Sequence, residues 1–257
     1  MASCATPFDR AKNTPLARVE DNYVSLVSGL PALYSVMASA VVVAPGIAVT
    51  SAHVLDVADR YSGYTASADM FTVETVAVSD RMDLAVLKVP GNVGKPFAWD
   101  LPRRSDAVWA MGTTNILHAP VVAGQVLEPD GWACEKLGEE TETRRGRDRC
   151  ETPIVRGIMY QAEAGPGYSG GPLVNSEGRL LGLTQGTFYE VVDREGRPIE
   201  GAPRTMFAYR IGDVLVEVRR LLKSGSHGLS AQEVAAPLAY LERVIAALDR
   251  QSASLAN

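Results

Sequence analysis

Histidine and cysteine are scarce in this chain, with three of each in 257 residues. No Cys-x-x-Cys and no paired histidines occur, so a zinc centre is not expected. A basic surplus is missing as well. The net charge is −5, which removes the electrostatic footprint that nucleic-acid binding needs. No solenoid-type repeat recurs. One long stretch, Tyr23 to Val43, carries no charge, and its length could span a bilayer. It is interrupted by Ser25, Ser28, Gly29, Pro31, Ser35 and Ser39. Its apolar residues therefore come in short runs between turn formers, the pattern of consecutive strands and connections. Long helical patterns are scarce until the C-terminus.

The composition is that of a globular protein, 46% hydrophobic and 21% charged, with length for one large or two small domains. Fifteen prolines and 23 glycines supply many turns and favour a β-rich fold. Ala38 to Val43 is a β-branched run, Ala44-Pro45-Gly46 has turn chemistry and Ile47 to Thr50 resumes the strand pattern, which predicts a hairpin. Further short strands are predicted over 71–78, 84–89, 107–111, 121–127, 157–160, 172–174, 180–184 and 205–209. Such a series indicates a sandwich or barrel. Helical spacing enters at Ile211 to Leu222, where Val214, Val218 and Leu221 share a face. After a linker at 223–228, the capping box Ser230-Ala-Gln-Glu233 opens a second helical segment with the stripe Val234, Leu238, Leu241, Ile245, Leu248. Pro237 is expected to kink or split it. The stripe is expected to pack on the body of the chain rather than on a partner.

The cysteines are Cys4, Cys134 and Cys150. The last two bracket a polar, highly charged segment. They can be read as a disulfide, contributing about 3 kcal/mol by loop closure in an oxidising compartment, or as two buried thiols. Met1-Ala-Ser-Cys4-Ala-Thr-Pro is not a complete signal peptide. It resembles the end of a bacterial lipoprotein signal, with Cys4 as lipid anchor if a longer leader precedes it. Otherwise Cys4 is a free thiol in a loose terminus.

The segment richest in chemistry is Gly165-Pro-Gly-Tyr-Ser169-Gly-Gly-Pro-Leu-Val174. A serine hydroxyl is a poor nucleophile without a base to take its proton and donors to hold the oxyanion that forms. Glycines on both sides let the backbone turn tightly beside the hydroxyl. The amides of Gly167 and Ser169 are then the expected oxyanion donors. Histidine is the expected base because its pKa lies near working pH. His53 ends a predicted strand, whereas His118 sits in a turn-like segment and His227 in the linker. The histidine needs an acid to fix its tautomer. Asp56, Asp59, Asp80 and Asp83 are candidates, and Asp83 alone leads directly into an apolar strand, Leu84-Ala-Val-Leu-Lys-Val89.

Taken together, Val49-Thr-Ser-Ala-His53, Asp83-Leu-Ala-Val-Leu-Lys88 and Gly167-Tyr-Ser-Gly-Gly-Pro-Leu-Val174 resemble the chymotrypsin-like serine peptidases, most closely the bacterial Deg/HtrA type. The resemblance covers about residues 35–222, including Phe207-Ala-Tyr-Arg-Ile211. It implies an all-β fold of two six-stranded antiparallel barrels with C-terminal helices. The expected layout is an N-terminal extension over 1–28, barrels over about 29–103 and 104–222, and a helical extension over 223–257. It implies a serine endopeptidase with His53 as base, Asp83 as orienting acid and Ser169 as nucleophile. Polypeptide is the implied substrate, no cofactor is called for, and the expected location is the cell envelope or periplasm.

The resemblance also places Thr184, Gln185 and Gly186 where the family pairs its backbone with an extended substrate. On the residues alone this is an ordinary barrel strand. Glu163 falls where trypsin-like enzymes put the pocket floor, although a solvent-facing side chain is the preferred reading. Two departures stand out. Tyr168 replaces the aspartate by which digestive trypsins pair with a freshly cut N-terminus, and no Ile-Val-Gly-Gly start is present. The segment after Leu222 is too short for a PDZ domain. A silent protease-fold binding module, and an esterase or acyl transferase with the same triad, are the alternatives.

Overall fold

A run such as Val41-Val42-Val43 has no polar alternation, and it makes a stable strand only where both of its faces are covered. The computed structural model shows how both are covered. It describes residues 22–28, 36–57, 60–65, 70–94, 98–113, 120–135, 154–201, 205–225 and 228–255, with position 15. Strands β1 (Tyr23–Ser28), β2 (Val36–Ala44), β3 (Ile47–Thr50), β4 (Tyr61–Tyr64), β5 (Met70–Val78) and β6 (Ala85–Lys88) close a barrel in the order β1-β2-β3-β6-β5-β4. Strands β7 (Ala107–Met111), β8 (Val121–Glu135), β9 (Ile154–Gln161), β10 (Pro172–Asn175), β11 (Leu180–Val192) and β12 (Thr205–Arg210) close a second, in the order β10-β11-β12-β9-β8-β7. Both barrels are built from antiparallel pairs, as expected.

Successive side chains of β2 and β3 serve two cores. Ala38, Ala40, Val42 and Ala48 join Leu26 and Leu87 in a cluster confined to the first barrel. Val41, Val43, Ile47 and Val49 join Leu84 and Val86 in a cluster shared with Val174, Leu183 and Phe207 of the second. Each fully buried side chain of this size contributes roughly 1.5–3 kcal/mol. Val108, Ile158, Tyr160, Leu173 and Met206 form the second barrel's own core.

Helix α1 (Ile211–Lys223) follows β12 without a break, and its predicted face, Val214, Val218 and Leu221, enters the shared core. Helix α2 (Ala231–Leu255) packs on it through Leu241, Ile245 and Leu248, so the stripe is used within the chain. Its capping box forms as expected. The Glu233 amide donates to Ser230 Oγ at 3.3 Å, and the Ser230 amide donates to Glu233 Oε2 at 2.8 Å. Among the described residues, no helix is long and apolar enough to cross a membrane.

Several boundaries differ from expectation. The first barrel begins inside the segment assigned to an extension, because Tyr23–Ser28 is β1 and pairs with both β2 and β4. β4 was not foreseen. Its sequence, Tyr-Ser-Gly-Tyr, is too short and too polar to show a period. β8 and β11 extend well past their predicted ends because they pair with each other over Trp132–Glu135 and Tyr189–Val192, outside the barrel proper. Helix α2 runs through Pro237 as one helix rather than two. Residues 1–14 and 16–21 of the expected extension, Cys4 among them, and Asp59, His118, Cys150 and His227 lie outside the described residues.

Glu233 also ties α2 to β6, with Lys88 Nζ 3.0 Å from its carboxylate. The Ser230 amide and hydroxyl, then Lys88, pull its pKa from 4.5 to about 2. A carboxyl whose pKa is lowered by folding adds stability that is fully present above its unfolded value and is lost as pH falls through the folded one. We expect denaturant stability to fall as pH drops from about 4.5 towards 2, and the fall to be shallower for Glu233→Gln in urea titrations at matched pH. Equal slopes for the two chains would show that this carboxyl plays no part.

Candidate active site

His53, Asp83 and Ser169 sit on three separate connections. His53 lies in a short 3-10 turn, Ala52–Val57, directly after β3. Asp83 ends the loop between β5 and β6, and Ser169 occupies the turn between β9 and β10. Because β3 and β6 are neighbours in the barrel, with Thr50 opposite Ala85, His53 and Asp83 emerge side by side. The second barrel brings Ser169 across the seam.

The three side chains form one row. Asp83 holds His53 at two points, accepting from its backbone amide at 2.8 Å and lying 2.6 Å from Nδ1. His53 Nε2 is 3.0 Å from Ser169 Oγ. With Nδ1–H donated to the carboxylate, Nε2 is left as the acceptor facing the hydroxyl, which is the tautomer a general base requires. Ser169 is buried while the imidazole is about half exposed, at 49%. Of the competing carboxylates, Asp80 pairs with Arg220 and Asp56 is exposed.

The loop that carries the acid is braced from the other barrel. The Asp83 amide donates to the Tyr209 hydroxyl at 3.1 Å. Ser79 Oγ accepts the amides of Arg81 and Met82 and donates to the buried Glu217 carboxylate of α1 at 2.5 Å. Arg220 binds Glu217 and Asp80 together. The Arg220 guanidinium, then Ser79, hold the Glu217 carboxyl below its usual range despite burial. Sequence reading missed Tyr209, Ser79, Glu217 and Arg220, because no local signal relates residues so far apart.

The turn that carries Ser169 is packed as tightly as its glycines suggest. Gly170 has φ +78°, and a Cβ there would lie 2.2 Å from the Ser39 carbonyl oxygen. Tyr168 packs inward against Gly112 instead of reaching for a terminus, and burial pushes its phenol up to about 12, so it stays neutral.

The segment expected to bind substrate has a more divided role. The Thr184 amide donates to the Gly171 carbonyl at 2.8 Å, and its carbonyl accepts from Gly170 at 2.9 Å. Thr184 therefore secures the turn that carries Ser169, and its amide is already engaged. Gln185 is buried, with Oε1 accepting from Ser51 Oγ at 2.9 Å and Nε2 without a partner among the described residues. Gly186 donates its amide to Ser169 Oγ at 3.2 Å. Glu163 is exposed, which favours the surface reading over a pocket floor. Cys134 is buried and disulfide-bonded. Among the described residues, no group of His, Cys, Asp and Glu could hold a metal.

The architecture is the chymotrypsin-like double barrel. The trypsin-like peptidase domain family matches residues 38–183, more than half of the chain, and the chain belongs to that family. It is 27% identical over 210 residues to a probable periplasmic serine endoprotease, DegP-like, of Pseudomonas savastanoi, covering 79% of this chain and 39% of that protein. It is 27% identical over 197 residues to the serine endoprotease DegS of Escherichia coli, covering 74% and 50%. The chain thus spans half or less of these relatives' length. Solved structures with the same fold include Rv3671c of M. tuberculosis in an inactive form (TM-score 0.60, 18% identity, covering 84% of this chain and 94% of that one). Another is a serine endoprotease of Yersinia pestis (TM-score 0.59, 20% identity, covering 83% and 67%).

Gly186 generates a prediction. A Cβ at this position would lie 2.5 Å from Ser169 Oγ and 3.0 Å from the Ser169 amide nitrogen. Gly186→Ala should therefore displace the hydroxyl and slow its labelling by a fluorophosphonate about 10²-fold, with the circular dichroism spectrum unchanged. Labelling at the wild-type rate would show that the backbone there yields without cost.

Proposed function

We propose that this protein is a serine endopeptidase acting through an acyl-enzyme. The observation that carries the reading is the row Asp83–His53–Ser169, with contacts of 2.6 and 3.0 Å. His53 Nε2 takes the Ser169 proton as Oγ attacks the substrate carbonyl. Asp83 stabilises the imidazolium that results, and the amides of Gly167 and Ser169 receive the oxyanion. The imidazolium then protonates the departing amine as the C–N bond breaks, leaving an ester on Ser169. Water, deprotonated by the same nitrogen, attacks the ester, and its collapse returns the proton to Oγ. No cofactor enters these steps.

The substrate is an extended polypeptide lying along Gln185 and Gly186 in the manner of an added strand. Binding requires the Gly186 amide to leave the hydroxyl it contacts in this structure. The two endoproteases to which the chain is similar support the same substrate class. The cell envelope is the proposed location, supported by the word periplasmic in one relative's name and by the disulfide at Cys134, since such bonds persist in oxidising compartments. Cys150 is the proposed partner of Cys134, and Cys4 the proposed anchor.

Incubation of the wild-type chain and of Ser169→Ala with a denatured protein, followed by mass spectrometry of the fragments, tests the activity. The wild type should cut, and the variant should fall by about six orders of magnitude, to background. Absence of wild-type cleavage and of fluorophosphonate labelling would favour a binding module. Turnover of esters alone would favour an esterase.

A further inference from the structure

We infer that Ser39, on β2 of the first barrel, is a positioning residue that sets the oxyanion-binding amides of the second barrel, an inference that rests on the catalytic reading above. Five successive residues, Gly167 to Gly171, offer amides around the nucleophile. Tyr168 donates to the Gly165 carbonyl at 3.1 Å, Gly170 to Thr184 at 2.9 Å and Gly171 to Tyr168 at 2.8 Å. The amides of Gly167 and Ser169 donate to no acceptor among the described residues. These are the two amides that the chemistry calls for, and they remain available because their neighbours are engaged.

Their direction depends on what grips the same two residues by their carbonyls. Ser39 Oγ donates to the Gly167 carbonyl at 2.8 Å, and the Ser39 amide donates to the Ser169 carbonyl at 3.0 Å. One residue thus holds both amide-bearing residues from the opposite barrel. Gly167 has φ +92°, a conformation open to glycine with little strain but also easily left. The grip on its carbonyl is what limits that freedom. Besides Ser39, the Gly167 carbonyl accepts, among the described residues, only from the Thr113 amide, at 2.9 Å.

The Ser39 hydroxyl is itself fixed. It lies 2.8 Å from the Tyr23 hydroxyl and accepts from the Thr113 amide at 3.1 Å. Tyr23 also meets Thr113 Oγ1 at 2.5 Å, and that oxygen donates to Ser25 Oγ at 2.9 Å. All four residues are fully buried. Burial raises the Tyr23 phenol well above its usual range, so the cluster stays uncharged. The single Tyr23 hydroxyl proton goes to one of two oxygens, Ser39 Oγ or Thr113 Oγ1, and a buried hydrogen-bonded cluster of this kind resists rearrangement. Within the cluster, the Ser39 hydroxyl and the Thr113 amide reach the turn, whereas Ser25 does not.

The test compares Ser39→Ala, Ser39→Cys and Ser25→Ala with the wild type, using peptide hydrolysis and binding of a peptide boronate that forms a tetrahedral adduct. Ser39→Ala should lower kcat about 10- to 100-fold with KM within about twofold, and weaken the boronate by the same factor. The pH profile of kcat/KM should keep its midpoint, because the Asp83–His53 pair is untouched. Ser39→Cys, a weaker donor of similar size, should fall between the two and carries the test if the alanine chain does not fold. Ser25→Ala removes a hydroxyl from the cluster without touching the turn, and should lower melting temperature while changing boronate affinity less than about threefold. Unchanged boronate affinity in both Ser39 variants, or an equal loss in Ser25→Ala, would overturn the role of Ser39. A wild-type chain that neither cleaves peptide nor binds boronate would instead overturn the catalytic reading on which it stands.

Discussion

The contact between His53 Nε2 and Ser169 Oγ, 3.0 Å long, joins atoms that belong to different barrels. Each barrel closes on itself, so no strand ladder fixes this distance. It depends on the seam, where Val41, Val43, Ile47 and Val49 of one barrel share a core with Val174, Leu183 and Phe207 of the other. Apolar burial holds the halves together but is indifferent to small rotations. Direction comes from the hydrogen bonds that cross the seam, at Ser39 to Gly167 and Ser169 and at Asp83 to Tyr209.

The exchange runs both ways. The first barrel steadies the turn that carries Ser169, and the second steadies the loop that carries Asp83. On the latter side, α1 contributes a buried carboxylate, Glu217, that would be costly alone but is satisfied by Arg220 and Ser79. Helix α2 then covers α1 and reaches back to the first barrel through Glu233 and Lys88. The C-terminal helices therefore act as a brace behind the acid loop, a role their amphipathic stripes do not announce.

What sequence revealed followed from how local each signal is. The hairpin at Pro45-Gly46, the capping box at Ser230 and the glycine-rich turn around Ser169 are short-range chemistry, and they were legible. His53 and Asp83 were legible because each adjoins an apolar strand that fixes where it emerges. The brace residues Tyr209 and Glu217, and the grip of Ser39 on Gly167, depend on residues 126 to 138 positions apart meeting across the fold. Thr184 shows the same limit from the other side. Its position beside the Ser169 turn was expected, but its amide is engaged by Gly171, which only the packed turn reveals. β8 and β11 outran their predicted ends for a related reason, since a partner strand rather than local pattern sets where they stop.

Two closed barrels joined by a seam can pivot without breaking any strand pairing. A rotation that opens the imidazole–hydroxyl contact by about an ångström would leave each barrel's own core and both ladders intact, yet break the geometry that the proposed chemistry needs. Foldedness and competence are therefore distinct quantities in this molecule. The first is stored in the ladders and the cores, and the second in the few directed hydrogen bonds that cross the seam, so competence can be lost well before any secondary structure melts.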